Sequence, residues 1–545
     1  MEGVGGAEPI GAAPARARRT SRPTTAATGA LLAAALLVGA AALLPAVYLV
    51  IRGSEAGLDR MVEIATGPRT IELLVRTSLL AAAVTAASVA IAVPVAWLTV
   101  RTDLPGRRTW VVLTALPLAI PTYVGGYAFV AALGPRGVVQ GWLEPLGVER
   151  LPSFYGFPGA FLVLTLFSYP YVLLTVRAAL RRLDPSLEEA SRSLGRGRAT
   201  TFLRITLPQL RPAIVAGALL VALYTLSDFG AVSLLRFDSF TRVIYTQYRG
   251  SLDRSAAAVL GLVLMALTIV ILTAELRTRG SAAYHRLHAG GSRAVVAIPL
   301  GRWRWPAFGA CCLLVLVALV LPLGIITYWL VRGASAGEPL RLTTTLIGNS
   351  LQASALGAGV SLVAAWPIAA LSVRRPGTLA SIVERASYVG YALPGVVVAL
   401  SLVFFGARVV PVVYQTRTLL VFAYVVLFLP QAVGALRASL LQVSPSLEEA
   451  SRLLGATRSA TAMRVVLPLV RPGALAGLAL VFLTCMKELP ATLLLAPTGF
   501  QTLATQVWGA TSEAFFSRAA APALMLVVLS AIPMLLLTRS EGDRR

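Results

Sequence analysis

Uncharged apolar runs of 19 or more residues recur from one end of the chain to the other, separated by short stretches where arginines and acids gather. A helix rises about 1.5 Å per residue, so about 20 apolar residues cover the roughly 30 Å hydrocarbon core of a bilayer. Twelve segments reach that length: about 30–51, 77–100, 110–133, 158–176, 212–235, 255–274, 307–331, 347–373, 386–407, 418–436, 472–496 and 519–538. The first follows Arg16, Arg18, Arg19 and Arg22, as a signal peptide would, but its 22 residues exceed an h-region, so it reads as a retained span. The pattern predicts an all-α polytopic membrane protein with twelve transmembrane helices.

The chain also repeats itself at an offset of 260 residues. P-S-L-E-E-A-S-R stands at 185–192 and again at 445–452. Around it Pro170 matches Pro430, Arg177 matches Arg437, and Arg211-Pro212 match Arg471-Pro472. Six spans per repeat is an even number, so the halves are parallel, related by an axis along the membrane normal. The organisation is a basic leader (1–29), a first half (30–275), a linker (276–306) and a second half (307–545).

Composition agrees. Of 545 residues, 57% are hydrophobic and 13% charged, with mean hydropathy +0.77. That charged share is about half the roughly 25% of a soluble domain. The net charge of +24 suggests nucleic acid at first sight. With the N-terminus in the cytoplasm, however, cytoplasmic segments hold 32 basic residues and outer segments 14. Positive-inside bias accounts for the charge, puts both termini in the cytoplasm and leaves no call for a nucleic-acid partner.

Candidate chemistry narrows by exclusion. Cys311, Cys312 and Cys485 lie in apolar runs, with neither disulfide nor zinc spacing. The single lysine, Lys487, sits in T-C-M-K-E-L, so no phosphate-cradling P-loop exists. No cofactor is expected on this chain, and any nucleotide energy must come from a partner. His285 and His288 lie in the linker at i, i+3, where solvated residues are a plainer reading than a metal pair. No nucleophile–base arrangement points to an enzyme.

The loop after the fourth span of each half carries the clearest motif. Ser186-Leu187-Glu188-Glu189 and Ser446-Leu447-Glu448-Glu449 fit a capping box, with Pro185 and Pro445 just before. Gly195 and Gly455 would stop each short helix, and a second short helix would end at Leu207-Pro208 and Leu467-Pro468. A lipid-bound interfacial helix explains the basic residues but not two copies with one glycine and proline spacing.

E-A-S-x-x-x-G-x(9)-I-x-L-P from Glu189 to Pro208, and its copy from Glu449 to Pro468 with Val465 for the isoleucine, resemble the EAA loop of binding-protein-dependent ABC importer permeases. Ser191 and Ser451 replace the usual second alanine. The resemblance implies a type I importer permease in the bacterial cytoplasmic membrane. It also implies two copies of a separate ABC ATPase and an extracytoplasmic binding protein. Each loop helix would dock in an ATPase groove, with Glu188, Glu189, Ala190, Gly195 and Pro208, and Glu448, Glu449, Ala450, Gly455 and Pro468, as coupling residues.

Ionisable residues inside spans tend to be functional. Asp228 lies in S-D-F-G-A-V-S-L-L and Lys487-Glu488 in M-K-E-L-P-A-T-L-L-L; Asp228 and Glu488 are counterparts at the 260 offset. About 16 helical residues past the Arg-Pro pair put both in the outer half of the membrane. Gly230 and Pro490 follow, so each helix is a candidate for a break. Paired carboxylates read either as hard oxygen groups along a cation path, with Asp228 and Glu488 touching metal transiently and Lys487 beside them, or as structural charges. Glu72 and Arg76, at i, i+4, read as a surface ion pair.

These segments, with T-L-A-T-Q-V-W at 502–508, are similar to fused iron(III) importer permeases. That implies iron(III) as substrate, with thiamine, polyamine and phosphonate as alternatives within the same plan. A proton-coupled secondary carrier also has two parallel six-span halves, and R-T-D-L-P-G-R-R at 101–108 faintly fits that family's loop.

Overall fold

The computed structural model describes residues 25–135, 137–148, 151–184, 186–250, 255–278 and 297–542. Pro185, His285, His288 and residues 1–24 of the basic leader lie outside them. The described residues are overwhelmingly helical and contain no strand; one isolated bridge joins Thr102 to Ile298.

Among the described residues ten helices are long and apolar enough to cross a membrane, or eleven counting one bent pair, against the twelve expected. The difference falls on the third and ninth segments. Pro117 and Pro121 interrupt the third, which turns by 92° between Arg107–Ala119 and Thr122–Leu146. The ninth survives as Gly395–Arg408, whose 14 residues follow Pro394. At about 1.5 Å per residue that helix covers roughly 21 Å, short of a full crossing. Proline removes a donor and clashes with the preceding turn, which apolarity alone does not register.

Segments two (Pro68–Arg101), four (Phe157–Arg182) and five (Phe202–Ser227) pack mutually in the first half. Eight (Thr344–Arg374), ten (Arg417–Leu440) and eleven (Ser459–Lys487) repeat the arrangement in the second. Close approach needs small residues: Gly217 of segment five faces Val172 and Thr175 of segment four, and Gly477 faces Ala435.

The terminal segments cross over between the halves. Segment one (Thr25–Ser54) packs on eight and nine, where Ser401 Oγ donates to the Pro45 carbonyl at 2.7 Å. Segment seven (Gly301–Ser335) packs on the third, and so does twelve (Phe516–Gly542), where Tyr127 OH donates to the Phe516 carbonyl at 2.7 Å. Each of the two large apolar cores therefore contains residues of both halves.

The second short helix of each loop does not end at the Leu-Pro pair. Arg198–Thr201 runs through a π turn, Phe202–Thr206, directly into segment five, and Arg458–Thr461 runs through Ala462–Val466 into segment eleven. The Leu207 and Leu467 amides donate five residues back, to Phe202 and Ala462. The wider turn accommodates Pro208 and Pro468, which have no N–H to give. The Glu72–Arg76 ion pair forms at 2.6 Å on the exposed start of segment two.

A Cβ on Gly217 would lie 2.7 Å from the Val172 Cα, whereas one on Gly359 would meet nothing within 4 Å. Gly217→Ala should cost about 1–3 kcal/mol by overpacking, measured as thermal unfolding in detergent, while Gly359→Ala should leave the transition in place.

Candidate functional site

Two regions carry the polar chemistry, one at each end of segments five and eleven.

At the loop end, Ser186–Ser193 and Pro445–Leu453 are the two short helices. Their caps sit earlier than the capping boxes suggest. Ser444 Oγ accepts from the Ser446 amide at 3.3 Å, and Asp184, its counterpart, accepts from the Ser186 amide at 2.9 Å. Pro445 is the first helical residue, a place where its missing N–H costs nothing. That shifts the second cap from Ser446 to Ser444. Gly195 (φ 79°) and Gly455 (φ 86°) take the left-handed conformation that terminates the helices. Arg196 N–H reaches Ser191 O and Ala456 N–H reaches Ser451 O, the six-residue closure of a Schellman turn.

Each short helix is tied to its half in the same way. Ser191 and Thr201 hydroxyls meet at 3.1 Å, as do Ser451 and Thr461. Glu188 lies 3.8 Å from Arg101, which is 1% exposed, and accepts from Thr206 at 2.8 Å. Glu448 pairs with Arg374, and with Arg452 at 3.6 Å. The first glutamate of each pair thus faces inward to the end of segment two or eight. Glu189, Ala190, Glu449 and Ala450 face outward, exposed.

Sequence reading missed Arg101 and Arg374. They are 273 residues apart, not 260. The offset changes across the loop between the third and fourth segments, which spans 134–156 in the first half and only 409–416 in the second. A search at 273 would have found Ser88/Ser361, Pro94/Pro367 and Arg101/Arg374 together.

At the other end, segment five stops at Ser227 and segment eleven at Lys487, and a short helix begins two residues after each break, Gly230–Leu234 and Pro490–Leu495. Asp228 Oδ1 accepts from the Ala231 amide at 3.0 Å and the Val232 amide at 3.3 Å, while Thr122 donates to Oδ2. Glu488 Oε1 accepts from the Ala491 amide at 3.1 Å. The carboxylates thereby cap the first turn of each following short helix. On the carbonyl side, Thr241 donates to Asp228 O at 2.6 Å and Thr492 to Glu488 O at 2.7 Å. Lys487 does not need its neighbour: Nζ donates across the halves to Leu118 O at 2.9 Å. Among the described residues no group of three or more His, Cys, Asp or Glu gathers as a metal site.

One difference between the two breaks is a compensated exchange. The residue facing Asp228 is Thr122; its counterpart at 273 is Gly395, where a Cβ would stand 2.6 Å from Glu488 Oε1. A longer carboxylate needs the smaller neighbour.

A family model described as "Binding-protein-dependent transport system inner membrane component" matches residues 101–275 and 357–544, one copy per half. The "Fe(3+)-transport system permease protein FbpB 2" of Haemophilus influenzae is 37% identical over 514 residues, 92% of this chain and 97% of its own length. The "Ferric transport system permease protein FbpB" of Actinobacillus pleuropneumoniae is 26% identical over 80% of this chain and 66% of its own. The "Sulfate transport system permease protein CysT" of Escherichia coli is 28% identical over 42% of this chain, about one half.

Gly395→Thr should displace the Glu488 carboxylate and lower the unfolding temperature, and adding Glu488→Asp should restore most of it by recreating the Asp228–Thr122 pairing. Additive loss in the double variant would contradict the exchange.

Proposed function

Because the chain belongs to the family of binding-protein-dependent transport system inner membrane components, we propose that it is the fused permease of an ATP-driven importer of iron(III). The carrying observation is the near end-to-end similarity to an iron(III) transport permease, spanning both halves. Sulfate-type relatives match a single half, which supports the fused iron permease over a two-chain plan.

The loop helices Ser186–Ser193 and Pro445–Leu453 each take one ATPase copy on the cytoplasmic face. Glu189, Ala190, Glu449 and Ala450 supply the outward contacts, and Glu188 and Glu448 hold each helix to its half. Gly195 and Gly455 set the turn behind the helix. Pro208 and Pro468 fix the π turn that joins loop to span. ATP and Mg are used in the ATPase, and an extracytoplasmic binding protein delivers the substrate to the opposite face. Both termini lie in the cytoplasm of a bacterial cell.

Asp228, Lys487 and Glu488 stand on the pathway. A passing cation competes with the Ala231, Val232 and Ala491 amides for the negative charge of the carboxylates that now cap them. Metal contact at these residues is therefore transient.

Cells carrying the whole importer should lose about tenfold or more of labelled iron(III) uptake with Glu189→Lys plus Glu449→Lys, while membrane levels of the chain stay unchanged; a charge reversed at a docked groove costs several kcal/mol. Uptake at the unmodified rate would contradict the coupling role.

A further inference from the structure

A cavity of about 230 Å³ lies between the halves at the face opposite the loop helices. Arg236, Arg242 and Tyr245 line it from the first half, and Trp508, Ser512 and Ala514 from the second. Phe229, the residue after Asp228, is 1% exposed and packs its ring 4.7 Å and 5.0 Å from those of the lining residues Tyr245 and Trp508.

Three features of the lining serve no evident packing need. Of the three non-glycine residues with left-handed φ among the described ones, two are here, Arg236 (55°) and Ala514 (61°). Such strain persists where the surrounding structure holds it, often at binding sites. Arg236 is exposed and has no acidic partner among the described residues; its guanidinium lies 5.0 Å over the Tyr155 ring. Arg242 is paired with Asp238, so the lining keeps a net positive charge. The Ser233 hydroxyl, also in the lining, is buried with no hydrogen-bond partner.

A guanidinium repels a bare trivalent cation and binds carboxylate or phosphate oxygens through paired N–H groups. We propose that this cavity is a binding site for a small, multiply anionic oxygen ligand, with Arg236 as its chief contact and Ser233 as a donor at its base. The iron-import reading adds one consequence: the cargo enters as an anionic oxygen chelate.

The test is equilibrium dialysis of the full-length chain in zwitterionic nanodiscs against labelled citrate, with and without iron(III). Wild type should bind saturably. Arg236→Gln should weaken binding about tenfold or more, the scale of one charge-assisted contact, with Arg236→Lys partly restoring it. Ser233→Ala should weaken it less and guards against a misfolded arginine variant. Tighter binding of the iron-loaded form identifies the cargo complex, and tighter binding of free citrate identifies a free anion; either supports the site. Wild-type affinity in both Arg236→Gln and Ser233→Ala, or no saturable binding at all, would overturn it. The assay needs neither ATPase nor transport, so intact iron uptake without citrate binding removes the cavity and leaves the import reading standing. Citrate binding without iron uptake does the reverse.

Discussion

A helix that stops inside hydrocarbon leaves amides and carbonyls with no water to meet them, at several kcal/mol each. Segments five and eleven both stop there, at Ser227 and Lys487. At each break Asp228 or Glu488 accepts amides of the short helix that follows, while Thr241 and Thr492 donate to the carbonyls. Much follows from that requirement. An acid must stand at the break in each half, and its neighbour on the third or ninth segment must fit its length, Thr122 for aspartate and Gly395 for glutamate. The carboxylates that look like a cargo site are first of all the caps that permit the break.

The same two segments begin just past the loop helices, beyond the turns at Gly195 and Gly455. From Arg198 to Ser227 the backbone is helical without interruption, with a π turn in place of the stop that Pro208 would otherwise impose. Segment eleven repeats this from Arg458 to Lys487. Buried or half-buried ion pairs, Arg101–Glu188 and Arg374–Glu448, fix each loop helix to a second span. Each segment thus runs unbroken from the turn behind its loop helix to the capped break about 30 residues away. Crossing of the first and last segments between halves makes the two segments share their cores.

Spans, duplication and loop motif were legible because each rests on a local signal: apolar length, an eight-residue identity, glycine spacing. The breaks of the third and ninth segments were not, since apolarity carries no information on continuity; Pro117, Pro121 and Pro394 were the signal available. Arg101 and Arg374 escaped as partners of Glu188 and Glu448 because each pair joins residues more than 70 positions apart, which no local spacing encodes. R-T-D-L-P-G-R-R, which resembled a secondary-carrier loop, instead begins with the Arg101 that meets Glu188, and its Thr102 bridges to Ile298. The outer cavity was beyond reach: its lining runs from Tyr127 to Phe516 and only folding gathers it.

The central claim is that motion at the loop helices, powered by ATP in a partner, opens the capped breaks to iron. The most direct measurement is accumulation of labelled iron(III) in proteoliposomes containing this chain, its ATPase and its loaded binding protein. The account predicts uptake that requires ATP, is blocked by vanadate and survives a protonophore. Uptake that proceeds without the ATPase and collapses with the proton gradient would contradict it.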